Sequence, residues 1–274
     1  MSVRGFALSC LLLISATASA AEPQPLRLSV GDWPPYLSTD FKHQGVVAHL
    51  LRDILADEGY ALDLRFLPWS RAYADAAAGK YAGTAVWMHK PEREVDFLYS
   101  EPVLNEQFVF FHLKKEVFHW DSLADLFGKK LGGGLEYSYG PEMDAYLTTG
   151  RLYMERVPSA EQNFNKLLRR RIDLYPQEIN VGYTALLSHF DRDAISQVTH
   201  HPKPLLNNLS YLLVPRSDPN GHELLKRFNR RLAMYRASGR YDQYFHDLRQ
   251  GKYLPDSALE RDEKAAPVPV GDPQ

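Results

Sequence analysis

Blocks of apolar and polar residues alternate along the chain and predict strands and helices in turn. "LRLSV", residues 26–30, reads as a strand, and "YALDLRF", residues 60–66, alternates apolar and polar positions as a half-buried strand does. Between them "GVVAHLLRDILADEG" places Val46, Val47, Leu50, Leu51, Ile54 and Leu55 on one helical stripe, with Gly59 as the stop. "SRAYADAAAGK" predicts a short Ala-rich helix closed by Gly79, and "GTAVW" a third strand. This βαβαβ order predicts a mainly parallel sheet with right-handed crossovers.

A second set follows "EQFVFFHL". "DSLADLFGKK" predicts a short helix capped by Asp121, "KLGGGL" a strand entering a glycine-rich turn, and "SYGPEMDAYLTTG" a helix beginning near Ser138. "RLYMERV" is the next strand, and "SAEQNFNKLLRRR" opens a helix with Ser159 and Gln162 in capping-box spacing. "IDLYP", "ISQVTHH" and "LSYLLVP" predict strands; "NVGYTALLSHF", "HELLKRFNRRLAMYRASG" and "RYDQYFHDLRQGKY" predict helices. No repeat of fixed period is present.

The loop after the first strand carries candidate chemistry. In "GDWPPY", Gly31–Tyr36, two prolines fix φ and remove two N–H donors, so the strand cannot run on through them. A stiff loop then holds Trp33 and Tyr36, either as a pocket wall or as rings that plug a core.

The ends narrow the setting. "MSVRGFALSCLLLISATASA" has one positive charge, Arg4, then an apolar stretch, then Ala18-Ser19-Ala20, which is the layout of a secretory leader over residues 1–20 with cleavage before Ala21. Its apolar run falls short of the roughly 20 residues a membrane span needs. Cys10, inside this leader, is the only cysteine, so disulfides, thiolate catalysis and cysteine-zinc sites are excluded from the mature chain. Residues 254–274, rich in Pro, Ala and charge without apolar period, predict a disordered tail. With 32 Lys+Arg against 34 Asp+Glu there is no electrostatic case for a nucleic-acid partner. The ten histidines include His200-His201 but no HExxH, so no metal is expected. The Gly132–Gly134 run lacks the Gly-Lys-Ser/Thr of a phosphate loop.

Six stretches agree in order with one family. They are "GDWPPY", the Gly and Leu opening the first helix, Trp69 followed by "AAAGKY", "KPEREVDFLYSEPV", "RRRIDLYPQE" and "SYLLVPRSDPN" with a later Gly. Together, from about Leu26 to about Tyr253, the chain resembles the bacterial extracellular solute-binding proteins of the polar amino acid type, family 3. The resemblance implies an α/β, two-lobe periplasmic-binding-protein-like (type II) fold with two crossovers and a central cleft. Lobe 1 would hold residues 26–111 and 210–253, and lobe 2 residues 112–209. Ligands of open α/β sheets sit beyond the carboxyl ends of strands, where "GDWPPY" lies, so the aromatic loop is expected to form a cleft wall.

The resemblance also implies site residues. Arg93, in "MHKPER", matches the arginine that grips a ligand α-carboxylate, a task suited to a planar fork; the alternative is a solvated surface arginine. Glu178 matches the carboxylate that pairs with the ligand ammonium from lobe 2, or else is an acid favoured at the start of the following helix. In "LEYSYG" the Ser138 hydroxyl and the amides of Ser138 and Tyr139 match donors to the carboxylate, with plain helix capping as the other reading. Asp173 matches a structural aspartate.

The chain departs from the family pattern at Val86 and Met88, where small hydroxyl residues are expected, at Val47 and His49, and at Ala82. These changes, with Trp69 and Trp87 expected near the cleft, point to a solute other than a free α-amino acid, or a more apolar one; Arg71 reads as a helix-face charge. The resulting expectation is a monomeric periplasmic receptor for a small, carboxylate-bearing solute, serving an ABC transporter permease or a membrane sensor without a cofactor. The alternative is a lyase on the same fold, like the cyclohexadienyl dehydratases, with Glu178 as general acid.

Overall fold

The computed structural model describes residues 22–135 and 137–256. The expected leader, residues 1–20, and the expected tail from residue 257 on lie outside them.

Strand β1 (Gln24–Val30) lies parallel between β2 (Tyr60–Phe66) and β3 (Gly83–Met88). Helix α1 (Val46–Ala56) buries all six stripe residues against this sheet, because their spacing keeps them on one face. Helix α2 (Trp69–Ala77) covers the link from β2 to β3. A short β4 (Phe97–Tyr99), unmarked in the sequence pattern, adds to the same sheet.

Two ten-residue strands, β5 (Leu104–Leu113) and β10 (Leu206–Pro215), carry the chain between the lobes. They pair with each other, antiparallel, over Leu104–Phe108 and Leu206–Ser210. Beyond that stretch β10 joins β3 and β4, while β5 joins β8 (Tyr175–Glu178) and β9 (Val198–His200). The change of partner at Phe108 comes earlier than the change of lobe expected after residue 111. Both faces of β5 are covered: Phe108 and Phe110 enter one core with Leu131 and Tyr139, and Val109 and Phe111 enter another with Phe164 and Leu167.

The second lobe adds β6 (Leu131–Gly134), parallel to β7 (Met154–Val157), and helices α3 (Pro141–Thr148), α4 (Ala160–Leu168), α5 (Ile179–His189) and α6 (Arg192–Gln197). Helices α7 (Gly221–Ala237) and α8 (Arg240–Arg249) return to the first lobe and pack on α1.

Four local expectations are corrected. The turn Leu123–Leu126 is 3-10 rather than α, and its cap is Ser122, reciprocated by Asp125, rather than Asp121. Helix α3 starts at Pro141, not near Ser138, because Asp144 reaches back to the Ser138 hydroxyl and the Tyr139 N–H. "ISQVTHH" divides into the end of α6 and strand β9, since Asp191 caps a helix through the Ala194 N–H. Strand β8 runs on to Glu178, past Pro176 where the expected "IDLYP" strand ends, so Gln177 and Glu178 are buried in the sheet.

Candidate functional site

The "GDWPPY" loop closes as a tight turn in which Trp33 and Leu37 exchange both backbone hydrogen bonds. The carbonyls of Pro35 and Tyr36 accept from the Val46 and Val47 N–H groups, satisfying the first amides of α1. The prolines thus end β1 and turn Trp33 and Tyr36 toward the second lobe.

Both rings reach across. The Trp33 indole N–H donates to the Tyr137 hydroxyl at 3.0 Å. Asn180, on α5, donates its side-chain N–H to the Tyr36 hydroxyl at 2.9 Å. Trp33 packs against the cores of both lobes, and its ring centroid lies 5.0 Å from that of Tyr36. Tyr137 lies directly over Gly134, where an added Cβ would come within 2.3 Å of the ring. The glycine run is therefore the floor on which that tyrosine rests.

Beside these bridges is a cavity of about 650 Å³ walled by both lobes. The first lobe contributes Asp32, Trp33, Asp40 and Phe41; the second contributes Tyr137, Glu161, Gln177 and Ser188 among others. Among the described residues no lysine or arginine lines it. Burial raises the Asp32 carboxyl above its ordinary range, opposed by hydrogen bonds from Ser38 and Thr39 and reinforced by the nearby charge of Asp40. Ser188 is 7% exposed, and its hydroxyl has no hydrogen-bond partner among the described residues.

Glu178 sits behind the cavity wall, fully buried, as the N-cap of α5. One oxygen accepts from the Val181 N–H at 2.9 Å and the other from Asn180 at 3.3 Å. Burial pushes its carboxyl up to about 7, with the charge of Glu106 adding to the rise and the Val181 amide and Tyr36 hydroxyl opposing it. Glu106, on β5, is also buried and raised by burial, and it accepts from Ser210 and Asn208 of β10. Two carboxyl groups thus lie at the crossing between lobes. The chain pattern singled out only Glu178; Glu106 stands in the polar stretch Asn105–Gln107 at the head of β5, where the crossing itself is the signal.

The remaining expected residues form separate groups. Trp69 packs edge-on against Trp87 at 5.1 Å, in space left by Gly31, where an added Cβ would lie 2.1 Å from the Trp69 indole. Val86 takes φ +64° beside a bulge in the β3–β10 register, which re-aims Trp87 so that its N–H donates to Thr84 at 2.7 Å. Arg93 lies over Trp87 at 4.7 Å and donates to the Met88 carbonyl at 2.7 Å. None of Trp69, Trp87 and Arg93 lines the cavity. The Ser138 hydroxyl and the Tyr139 N–H both donate to Asp144, and the Tyr139 hydroxyl accepts from the Gly134 N–H. Arg71 pairs with Asp75 on its own helix, and Asp173 accepts from the Lys130 N–H.

The model of the bacterial extracellular solute-binding proteins, family 3, matches residues 28–247. The chain belongs to that family. Solved structures similar to this solute-binding protein share its two-lobe fold. An ancestral cationic amino acid solute-binding protein is 18% identical, with 82% of this chain and 95% of that chain covered and a TM-score of 0.66. Substrate-binding domain 2 of Lactococcus lactis GlnP, in an open conformation, is 18% identical over 84% of this chain and 96% of that one, with a TM-score of 0.63. A histidine kinase sensor domain with similarity to periplasmic binding proteins is 18% identical over 85% and 97%, with a TM-score of 0.62. No curated protein matches the chain. Among the described residues of this family 3 protein no helix is long and apolar enough to cross a membrane.

Proposed function

We propose that this family 3 protein is a periplasmic receptor that captures one small solute in the cavity between its lobes. It then presents the closed form to an ABC transporter permease or to a membrane sensor. The observation that carries this reading is a cavity whose walls come from both lobes, bordered by the Trp33–Tyr137 bond. Its volume of about 650 Å³ falls within the roughly 300–1,000 Å³ of small-molecule sites. Opening would break the Trp33–Tyr137 and Tyr36–Asn180 bonds and bend the paired stretches of β5 and β10, a hinge of few residues. Similar structures include a transporter substrate-binding domain and a kinase sensor domain, which is why both receivers are named.

Binding is favoured over lyase chemistry by the setting of Glu178. Both of its oxygens accept hydrogen bonds from groups of α5, and it does not line the cavity, which supports a helix-capping role over that of a general acid. The Arg93 guanidinium lies over Trp87, donates to the Met88 carbonyl and is not among the described residues that wall the cavity.

Native mass spectrometry of the protein isolated from the periplasm without denaturation tests the proposal. A small-molecule adduct that is lost on denaturation supports it. A bare mass, unchanged after incubation with pooled amino acids, amines and organic acids, contradicts it.

A further inference from the structure

We infer that the junction between the lobes is a proton-gated latch: one proton held by Glu178, beside Glu106, keeps the lobes together, and its loss lets them part. The inference goes beyond the proposed function and rests on its lobe motion, not on the identity of the solute.

The two acids meet where the chain crosses between lobes. Phe108 of β5 pairs with Glu178 of β8, and Glu106 stands two residues before Phe108, paired with Asn208 of β10. Residues opposite each other share a sheet face, as do residues two apart on one strand, so the register sets both acids on the same face. Glu178 is 0% exposed and Glu106 2%.

The groups that hold the two carboxyls are neutral. The Val181 N–H and Asn180 of α5 donate to Glu178, and Ser210 and Asn208 of β10 donate to Glu106. The titratable groups that face Glu178 are Glu106 from β5 and Tyr36 from the loop after β1. Tyr137, from the loop after β6, lies near both acids. Two buried negative charges with neutral partners repel each other and lose their hydration, and one proton relieves both strains.

The first lobe forms the cover over Glu178. Asn180 donates to the Tyr36 hydroxyl at 2.9 Å as well as to the Glu178 carboxyl at 3.3 Å. Val181, whose N–H caps onto Glu178, packs in the first-lobe core together with Tyr36. Parting the lobes would lift Tyr36 and that core off the start of α5 and admit water to the carboxyl.

The direction of the gate follows. Burial in the closed form pushes the Glu178 carboxyl up from 4.5 to about 7, with Glu106 adding to the rise and the Val181 amide, the Tyr36 hydroxyl and the Gln107 amide opposing it. Hydration on opening returns it toward its ordinary value, so the closed form holds the proton more tightly. Closure is favoured at acid pH, and that advantage is lost as pH rises through about 7. By reciprocity, a solute that closes the lobes takes up protons near neutral pH.

Small-angle X-ray scattering of the protein dialysed free of solute, from pH 5 to pH 8, tests the inference. The radius of gyration should rise with pH as the open-to-closed ratio grows by about tenfold or more. Glu178→Gln should stay compact throughout. Glu106→Gln removes the repelling neighbour and should move the midpoint to lower pH, with circular dichroism confirming native folds. An equal radius at pH 5 and pH 8 in the parent would overturn the inference, and so would a Glu178→Gln response that matches the parent. Should Glu178→Gln not fold, the Glu106→Gln midpoint decides, and an unmoved midpoint overturns the latch. Pooled amino acids, amines and organic acids separate the two levels. Compaction by the pool in a protein indifferent to pH removes the latch and leaves the receptor function standing; a radius indifferent to both removes both.

Discussion

The indole N–H of Trp33 donates to the hydroxyl oxygen of Tyr137 at 3.0 Å, and that bond ties the loop after β1 to the loop after β6 beside the interlobe cavity. Replacing Trp33 by Phe keeps a ring in the wall and removes the donor. A single neutral hydrogen bond contributes about 0.5–1.5 kcal/mol, so solute affinity should fall by roughly 2- to 12-fold. Thermal unfolding of the unliganded protein should move little. Calorimetric titration reads the first quantity and a melting curve the second; an affinity equal to that of the parent would show that the bond does not report on closure.

Glu178 makes stability depend on pH with a definite sign. Its carboxyl is pushed up from 4.5 to about 7 in the folded protein, so the native state holds the proton more tightly than the unfolded chain. Stability from this group is therefore present below the unfolded value and is lost as pH rises toward the folded one, by up to about 3 kcal/mol. Glu178→Gln keeps an acceptor for the Val181 N–H and cannot ionise. Urea unfolding at pH 5 and pH 8 should show the variant near the parent at the lower pH and more stable than it at the higher. A constant difference across that range would mean that Glu178 is not the group responsible.

Arg93→Ala distinguishes a ligand arginine from a packing one. The guanidinium touches Trp87, Tyr73 and the Met88 carbonyl and does not line the cavity. Solute affinity should stay within about threefold of the parent, while folding loses about 0.5–1 kcal/mol of cation–π contact. A hundredfold loss of affinity in titration would return Arg93 to the binding site.

Gly31 lets the Trp69 indole cross directly over the backbone at the end of β1. A methyl there would lie 2.1 Å from the ring, so Gly31→Ala must displace Trp69 and with it the edge-on contact to Trp87. Overpacking of this kind costs about 1–3 kcal/mol. Chemical denaturation should show that loss, and near-ultraviolet circular dichroism a change in the tryptophan bands.

Elements with a single buried face were legible in the sequence. The α1 stripe, the alternation of β2 and the Ser159 cap of α4 each rest on local spacing, and each stands within a residue or two of its expected place. Strand β5 shows why others were not: "FVFFHL" has no alternation because both of its faces meet cores, and only the fold reveals where it changes partner. The start of α3 was misplaced because Asp144, one turn inside the helix, draws Ser138 and Tyr139 into its own carboxylate. For the site, the two prolines announced that Trp33 and Tyr36 leave the strand together. That Tyr137 and Asn180 meet that loop depends on contacts between residues about a hundred or more positions apart, which no local pattern encodes.

The central claim is that the two lobes close on a solute between them, and an interlobe distance measures it directly. The only cysteine is Cys10, in the expected leader, so spin labels can be placed at Thr39→Cys and Leu187→Cys, exposed positions on the first and second lobe. Double electron–electron resonance would be recorded on the protein with and without a saturating amount of the solute that native mass spectrometry identifies. The account predicts a shift toward a shorter, narrower distance distribution on binding. A saturated protein whose distance distribution matches that of the unliganded protein would contradict it.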